Sequence, residues 1–302
     1  APLAGALVGL TAALGLAARR RPPWPRLGAR RGGRGALAQR AMLPGIGGTE
    51  IDGGTEDPAI AWKLIDRLKQ RLEQLPELPG WRGKPAAQND GLLWWFLRDR
   101  RLDVGESVSK LEQCLRWRRE FRVDYIGPEH FMGEMRSKKA YFHKHRDLAG
   151  RPVLVVVAQR HNLFERRLDE SCSMCAWFLE QTMDKLATLD PPARPNEVGS
   201  RRAPGTSGAQ PVEQALGIFD LRGFSPMQAD MEFATFLVQA IHSYYPGRFG
   251  RILLVDAPDI FRSFWQNVRP LLHRYASLAD FVSAQEVCDK YFAPGEAPSE
   301  LQ

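Results

Sequence analysis

Apolar side chains recur at intervals of three and four residues after residue 56, which is the spacing of one face of a helix. Asp57 precedes Pro58, and an N-cap residue followed by a proline at the first helical position predicts a helix start. The apolar positions of this helix are Ala61, Leu64, Ile65, Leu68, Leu72 and Leu75. Further helices are predicted from Leu92 and over 108–121, so residues 57–137 are expected to form a small helical unit.

The pattern changes after residue 140 to short apolar runs separated by helical stretches. The unbroken apolar run at 153–157 is typical of a strand buried on both faces. Strands that alternate with helices imply crossover connections and a largely parallel sheet, so residues 138–295 predict an α/β domain. The other predicted strands are 216–220, 251–256 and 280–283, and the predicted helices are 170–189, 225–245, 260–272 and 285–292.

The composition indicates a folded chain. Of the 302 residues, 44% are hydrophobic and 25% are charged. This is too apolar for a disordered chain and too charged for a polytopic membrane protein. The 4 cysteines are too few for a disulfide scaffold, so a thiol-reducing compartment is expected. Residues 190–214 are rich in Pro, Gly, Ser and Arg and predict a flexible surface insertion.

The net charge of +7 comes from the first part of the chain. Residues 1–49 contain eight Arg, no Lys and no acidic residue, and the remaining residues carry a net charge of −1. A nucleic-acid-binding surface is expected on the folded domain, so the charge does not support a nucleic-acid partner. The Arg-rich stretch predicts a disordered leader that targets an organelle, a plastid or a mitochondrion. The alternative is a weak anchor at the cytoplasmic face of a membrane.

Two short motifs resemble metal sites, but neither has a complete set of ligands. Cys172 and Cys175 lie on one predicted helical stripe with apolar residues, and structural zinc requires four ligands. This pair therefore predicts buried core thiols. His143 and His145 precede a turn and lack an acidic partner cluster, so solvated histidines are favoured over a metal site. The sequence predicts neither a metal nor a cofactor.

No pattern in the sequence indicates a catalytic centre. The chain has neither the G-x-S-x-G turn of a serine nucleophile nor the glycine-rich loops that hold nucleotide phosphates. Asp220 and Asp256 each end a predicted strand, where α/β folds place ligand sites. No histidine or nucleophile accompanies them, so a turn-capping role is favoured over acid–base catalysis. An enzyme that uses either carboxylate is the least favoured functional hypothesis.

The predicted helix at 260–272 is strongly amphipathic. Its large apolar positions are Phe261, Phe264, Trp265, Val268, Leu271 and Leu272. Such a helix either packs on a sheet or forms a lid whose apolar side chains cover a cavity or touch a membrane. Periodicity alone favours the packed helix.

Five stretches, in order along the chain, resemble the CRAL-TRIO family of lipid-binding and lipid-transfer proteins. The first is the helical stretch at 92–104, and the second is the Leu-x-Trp-Arg motif within 115–124. The third, at 147–153, is similar to the DxxGRPV turn that opens the family's lipid domain. The last two lie at 220–223 and 245–271.

The resemblance covers about residues 57–295 and implies the family's α/β fold. A small N-terminal helical unit precedes a mostly parallel sheet that floors an apolar pocket, and a gate helix closes this pocket. By position, the helix at 260–272 is the implied gate. The implied pocket and gate residues are Phe233, Phe236, Leu237, Ile241, Ile252, Leu254, Phe261, Phe264, Trp265 and Val268.

The resemblance also aligns Arg100 and Arg269 with cations that bind the lipid headgroup. Phosphatidylinositol-transfer members have a headgroup-binding Glu after the Tyr-Pro pair, and this chain has Gly247 after Tyr245-Pro246. Two cations without a carboxylate still bind a phosphate but specify inositol poorly. We therefore expect lipid binding without inositol specificity.

The favoured hypothesis is non-enzymatic binding, transfer or presentation of a hydrophobic ligand. The expected partners are a phospholipid or another hydrophobic small molecule and, transiently, a membrane surface. The alternative is an interaction or membrane-recruitment module with the same fold and a reduced pocket. The volume of the cavity distinguishes the two hypotheses, because ligand pockets have volumes of about 300–1,000 Å³ and a recruitment module needs no such space.

Overall fold

The computed structural model describes residues 57–195 and 211–302, and its first part is helical, as the apolar spacing predicts. Helix α1 spans Pro58–Glu73, α2 spans Asp90–Asp99, α3 spans Val104–Phe121 and α4 spans Met132–Arg136. At the start of each of the first three, a side chain accepts a hydrogen bond from a free backbone N–H. Because the capping residue of α3 is Asp103, this helix begins before the predicted residue 108.

Five strands form one sheet in the order in which they follow along the chain. β1 spans Ala140–Phe142, β2 Val153–Val157, β3 Ala215–Asp220, β4 Phe249–Val255 and β5 Ala279–Val282. β2 to β5 pair in parallel, as predicted, and β1 pairs antiparallel with β2. The sequence analysis missed β1, because 3 partly buried residues are too few to show an alternating pattern.

Three helices that connect parallel strands lie on one face of the sheet. Helix α5 spans Leu168–Lys185, α6 spans Met231–Gln239 and α7 spans Asp259–Val268. Right-handed crossovers between strands in sequential order place every connecting helix on the same side. The opposite face packs against α8, Ala284–Tyr291, and against the last residues of the chain. The strand residues of that core are Val153, Val155, Val157, Leu216, Ile218, Leu253 and Val255.

The helix predicted at 225–245 is divided in the structure. Ser225 caps a single turn, Pro226–Gln228, and the chain leaves the helical conformation after it. Asp230 then provides a second cap, at which α6 begins. A π-helical turn at Ala240–Tyr244 follows α6. The apolar period continues across these breaks, so the long helix was the wrong prediction, and the two capping side chains explain the division.

The helix predicted at 260–272 is also shorter than expected. It ends at Val268, and a 3-10 helical segment, Arg269–Leu278, follows it. Pro270, near the start of this segment, has no N–H with which to continue the α-helical pattern. His273 adopts φ 47° and ψ −124°, which kinks the segment.

Both ends of the predicted insertion are held against the fold. Pro192 accepts a hydrogen bond on its carbonyl oxygen from the indole N–H of Trp62 at 2.7 Å. Near the other end of the insertion, the carbonyl oxygen of Val212 accepts a hydrogen bond from the backbone N–H of Ala187 at 2.8 Å. Residues 196–210 and the Arg-rich leader lie outside the described residues. The flexibility of the insertion and the role of the leader therefore stay predictions.

A carboxylate that is only 13% exposed joins the helical unit to the α/β layer. Glu180 of α5 accepts hydrogen bonds from both terminal nitrogens of Arg118, at 2.6 and 3.1 Å, and from the Tyr245 hydroxyl at 2.5 Å. Arg82 approaches Glu180 to 2.9 Å from the more exposed side. Burial raises the pKa of Glu180, but the hydrogen bonds and charge of Arg118 outweigh this effect and hold the pKa below its usual range.

Three of the stretches that resemble the CRAL-TRIO family meet at this junction. Trp95 of α2 donates its indole N–H to the carbonyl oxygen of Pro246 at 2.7 Å. Trp117 of α3 stacks on Tyr244, with ring centres 3.9 Å apart. Arg248 lies over the Trp95 ring at 4.3 Å, and burial lowers the pKa of its guanidinium to about 10. These stretches therefore fasten the two parts of the fold together.

We expect Arg118→Ala to lower the free energy of unfolding by about 3 kcal/mol, because it removes a buried guanidinium and leaves a largely desolvated carboxylate without its main partner. Arg116→Ala is the matched control in the same helix. Arg116 pairs with Glu112 at 2.7 Å on a partly exposed surface, and such pairs contribute about 0.3–0.5 kcal/mol. Urea unfolding of the full chain measures both variants. Equal losses would contradict a central role for the Glu180 junction.

The lowered pKa of Glu180 predicts a pH dependence of stability. A carboxyl of this kind stabilises the fold above its unfolded pKa of about 4.3, and the contribution is lost as the pH falls through the folded pKa. Glu180→Gln lacks the charge at every pH. The difference in free energy of unfolding between wild type and variant should be largest at neutral pH and shrink below about pH 4. A difference that stays constant on acidification would mean that this charge does not stabilise the fold.

Candidate functional site

An apolar cavity of about 80 Å³ lies between the sheet and helices α5 and α6. Alternate residues of the central strands form its floor, because successive side chains of a strand point to opposite faces. The floor residues are Leu154, Val156, Gly217, Phe219, Phe249 and Ile252. The roof residues are Met174, Cys175, Phe178 and Leu179 from α5 and Phe233, Leu237 and Ile241 from α6 and the turn after it.

The cavity is much smaller than a ligand pocket. Pockets that hold small molecules have about 300–1,000 Å³, so the described conformation has room for only a short piece of a hydrocarbon chain. Aromatic side chains take up the remaining space: Phe178 packs on Phe142 with ring centres 5.7 Å apart, and Phe233 stacks on His161 at 5.6 Å. The open volume expected for a carrier is therefore absent from this conformation.

Four of the residues predicted for the pocket line this cavity, namely Phe233, Leu237, Ile241 and Ile252. Phe236 points to the helical unit instead, where its ring lies 5.5 Å from that of Phe121. Leu254 is buried in β4 but does not contact the cavity. The π-helical turn after α6 keeps Ile241 at the cavity although α6 itself ends at Gln239.

The predicted gate, α7, does not line the cavity in this conformation. Its rings belong to a neighbouring aromatic cluster: Phe261 and Phe264 pack on Phe224 at 5.1 and 5.6 Å, and Trp265 packs on Phe281 of β5 at 6.0 Å. Val268 belongs to an apolar cluster that includes Val238 of α6, and Phe264 and Trp265 also pack against this cluster. The strand order explains this position, since a helix that connects β4 to β5 lies over that edge of the sheet.

The two predicted headgroup cations are separate from the cavity. Arg100 donates to Asp99 at 2.9 Å, and this buried carboxylate also contacts Lys110 at 3.1 Å and accepts from the Tyr275 hydroxyl at 2.6 Å. Arg269 is exposed at the start of the 3-10 helical segment after α7. Neither arginine contributes to the cavity wall.

The sequence analysis missed a charged group at one end of the cavity. Lys139 is only 4% exposed and lines the cavity. Its ammonium group pairs with Glu134 and donates to Nδ1 of His161 at 2.9 Å. The other ring nitrogen of His161 lies 3.2 Å from Asp230, which also pairs with Arg166 at 2.6 Å. Residues so far apart in the sequence give no local pattern that could have revealed this group.

Burial and polar partners shift the pKa values of Lys139 and Asp230 in opposite directions. Desolvation lowers the pKa of Lys139, and the hydrogen bond and charge of Glu134 offset only part of this effect. For Asp230, burial raises the pKa, whereas hydrogen bonds from His161 and Arg166 outweigh burial and hold the pKa well below its usual range. Each buried charge thus has a partner, which is the condition for keeping charges inside a protein.

The motifs considered for metal binding and catalysis have structural roles. Cys172 and Cys175 are free, buried thiols of α5, and burial raises the pKa of Cys175 to about 12. Asp220 pairs with Arg222 at 2.8 Å, and Asp256 accepts from the Ala284 N–H at 3.3 Å, so both carboxylates hold turns after strands. Within residues 57–195 and 211–302, no three His, Cys, Asp or Glu residues could hold a metal ion.

None of the helices in the described part of the chain is long and apolar enough to cross a bilayer.

Known proteins resemble this chain in sequence. It is 29% identical to the SEC14 cytosolic factor of Eremothecium gossypii over 217 residues, which cover 69% of this chain and 66% of that protein. It is 22% identical to the phosphatidylinositol transfer protein CSR1 of the same organism over 252 residues, or 74% of this chain and 53% of that protein. The SEC14 cytosolic factor of Yarrowia lipolytica is 26% identical over 216 residues. This match covers 69% of the present chain but only 42% of the length of that relative.

The fold has a counterpart among solved structures. The crystal structure of Sfh5 aligns with a TM-score of 0.58 at 13% identity, over 79% of this chain and 85% of that chain. At this identity the similarity shows the α/β fold alone. The CRAL/TRIO domain itself matches residues 135–301, which is more than half of the sequence. The chain therefore belongs to the CRAL/TRIO family.

Proposed function

We propose that this chain binds a hydrophobic ligand, a phospholipid, beneath α5 and α6 and transfers or presents it without chemical change. The observation that carries the proposal is an almost wholly apolar cavity in a chain of the CRAL/TRIO family. One relative bears the name phosphatidylinositol transfer protein. A lipid carrier needs an apolar interior and no catalytic group.

The free energy of transfer explains why the interior has to be apolar. Burying one CH₂ group is worth about 0.8 kcal/mol, so a 16-carbon tail is worth about 13 kcal/mol. A protein that does not offer the tail a comparable environment leaves the lipid in the bilayer. When the two environments are nearly equal, exchange is balanced, and the motion that opens the cavity sets its rate.

A lipid tail requires the cavity to expand, and α6 and α7 are the elements that provide this motion in our proposal. Glu180 ties α5 to the helical unit, whereas α6 is joined to α7 by the apolar contact of Val238 with Val268. Displacement of α7 would loosen α6 and lift Phe233 and Leu237 from the cavity. In this way α7 acts as a gate without lining the cavity.

Exposed apolar side chains near α7 support transient contact with a membrane. Ile260, Leu271 and Phe281 are 41%, 38% and 37% exposed. Large apolar side chains that protrude near basic residues insert into the interface of a bilayer. Contact at this surface would couple the opening of the gate to the presence of a membrane.

We do not assign inositol specificity. Gly247 adopts φ 69°, a conformation that favours glycine, and its carbonyl oxygen accepts from the Gln214 side chain at 3.1 Å. This turn belongs to the junction with the helical unit, and Gly247 has no side chain that could bind an inositol hydroxyl. Arg100 and Arg269 stay candidate phosphate ligands by resemblance only.

The second candidate function is an interaction or membrane-recruitment module, and the cavity volume of about 80 Å³ is the observation that favours it. Mass spectrometry of lipid extracted from the purified full chain separates the two functions. A carrier co-purifies with phospholipid or takes it up from vesicles. A folded chain that does neither is a module, and the carrier proposal then fails.

Filling the cavity provides a sharper test. A Cβ atom on Gly217 would lie 3.5 Å from Phe249 and 3.7 Å from Ile252, which is ordinary contact. We expect Gly217→Val to fold and to lower lipid uptake from vesicles by about tenfold, because the added branches occupy the space of about two CH₂ groups.

Gly217→Ala is the matched control for this variant and should keep most of the uptake. Thermal unfolding shows whether both variants fold, and a β-branched residue suits a strand. If Gly217→Val folds and takes up lipid as well as wild type does, the tail does not bind in this cavity.

A further inference from the structure

A groove of about 740 Å³ runs along the free edge of β1, between α4 and the C-terminal residues 295–302. It is more open to solvent than the apolar cavity is. Three residues, Lys139, Ala140 and Met174, line both the groove and the cavity. The two spaces are therefore separated by a wall one side chain thick, and this wall lies at the side of the sheet opposite α7.

The wall contains a buried cation with unused hydrogen-bonding capacity. A lysine ammonium has three N–H donors. The structure gives the Lys139 ammonium two polar partners, Glu134 and His161, and places it 5.9 Å from the centre of the Phe233 ring. Ala140, the smallest member of the wall, leaves the thinnest barrier between the groove and the cavity.

The groove concentrates positive charge on a domain that is otherwise close to neutral. Lys138 and Lys144 are exposed and form no ion pair with any residue of the described ranges. Arg160 donates to the carbonyl oxygen of Lys138 at 2.9 Å and lies 3.6 Å from Glu300. The charged side chains of the groove, four cations and two carboxylates, are Lys138, Lys139, Lys144, Arg160, Glu134 and Glu300.

We propose that this groove binds the phosphate of an anionic lipid headgroup while an acyl tail of the same lipid passes Ala140 and Met174 into the cavity. This inference rests on the proposed function, since it needs a tail in the cavity. Lys138 and Lys144 attract the phosphate, and Lys139 meets its oxygens at the wall. Cations at the mouth of an apolar site match a ligand with one charged end and one apolar end.

This location differs from the one that the resemblance implies. Arg100 is engaged by Asp99, and Arg269 lies beyond the aromatic cluster of α7; neither lines the groove. A phosphate held at the edge of β1 therefore enters from the side opposite the gate. Motion of α6 and α7 then makes room for the tail without having to release the headgroup.

The test reverses the two exposed charges in the full chain, as Lys138→Glu/Lys144→Glu. Lys63→Glu/Lys84→Glu is the matched control, because these exposed lysines lie on the helical unit and line neither the groove nor the cavity. Calorimetry measures binding of dihexanoyl phosphatidic acid, kept below the concentration at which it forms micelles. Dihexanoylglycerol, with the same tails and no phosphate, is measured in parallel.

We expect the groove variant to weaken binding of the anionic lipid by about tenfold, while the neutral lipid changes less than about twofold. The control variant should leave both unchanged. Equal losses for the two lipids, or no loss for either, would overturn the headgroup site while leaving the proposed function intact. If wild type binds neither lipid and takes up none from vesicles, the proposed function itself has failed.

Two further measurements identify the source of the phosphate. If inorganic phosphate binds as tightly as the anionic lipid and the groove variant abolishes both, the site takes free phosphate, and the lipid assignment is wrong. If the groove variant binds soluble lipid normally but no longer binds vesicles of anionic phospholipid, the groove is a membrane contact instead.

The wall is tested separately by Ala140→Phe, with Ala140→Ser as its control. The larger side chain should block the tail and lower uptake of both lipids about tenfold, while binding of inorganic phosphate persists. Normal uptake by a folded Ala140→Phe variant would show that the tail does not pass this wall. The charge-reversal experiment decides the headgroup site even if this variant does not fold.

Discussion

Removal of water from the Glu180 carboxylate is the constraint on which the fold depends. Its oxygens accept from Arg118 of α3 and from the hydroxyl of Tyr245 before β4, and Arg82 closes the outer side. Two donors come from the helical unit and one from the segment that leads into β4, so one desolvated charge couples the helical unit, α5 and the sheet. A buried charge tolerates little displacement, because every lost donor leaves an unsatisfied oxygen.

This junction divides the layer above the cavity into a held part and a freer part. Glu180 connects α5 to the helical unit, and the same helix covers the cavity with Met174 and Phe178. α6 is anchored at its start, where Asp230 and Glu232 pair with Arg166, and its far end continues into a π-helical turn. In the proposed gating, expansion of the cavity therefore falls to α6 and to the helix packed beside it.

The side chains around the sheet change from apolar to charged at the edge formed by β1. In the interior the strands present only apolar side chains to the cavity, but at β1 the sheet has a free edge and solvent is near. There the chain can keep Lys139 and Glu134 inside, since each is the charged partner of the other. An apolar interior with a charged rim is what an amphipathic ligand requires, and the antiparallel addition of a short strand creates it here.

The sequence by itself determined the class of fold, the order of the four parallel strands, the caps at Asp57 and Ser225, and the family, because these follow from local periodicity and from contiguous motifs. The resemblance to the family also indicated part of the cavity lining, including Phe233 and Leu237. Only the tertiary structure decided that α7 covers β5 rather than the cavity and that Lys139 stands between cavity and groove. Those facts depend on which distant residues meet once the layers pack, and side-chain packing across layers leaves no signature in the local order of residues.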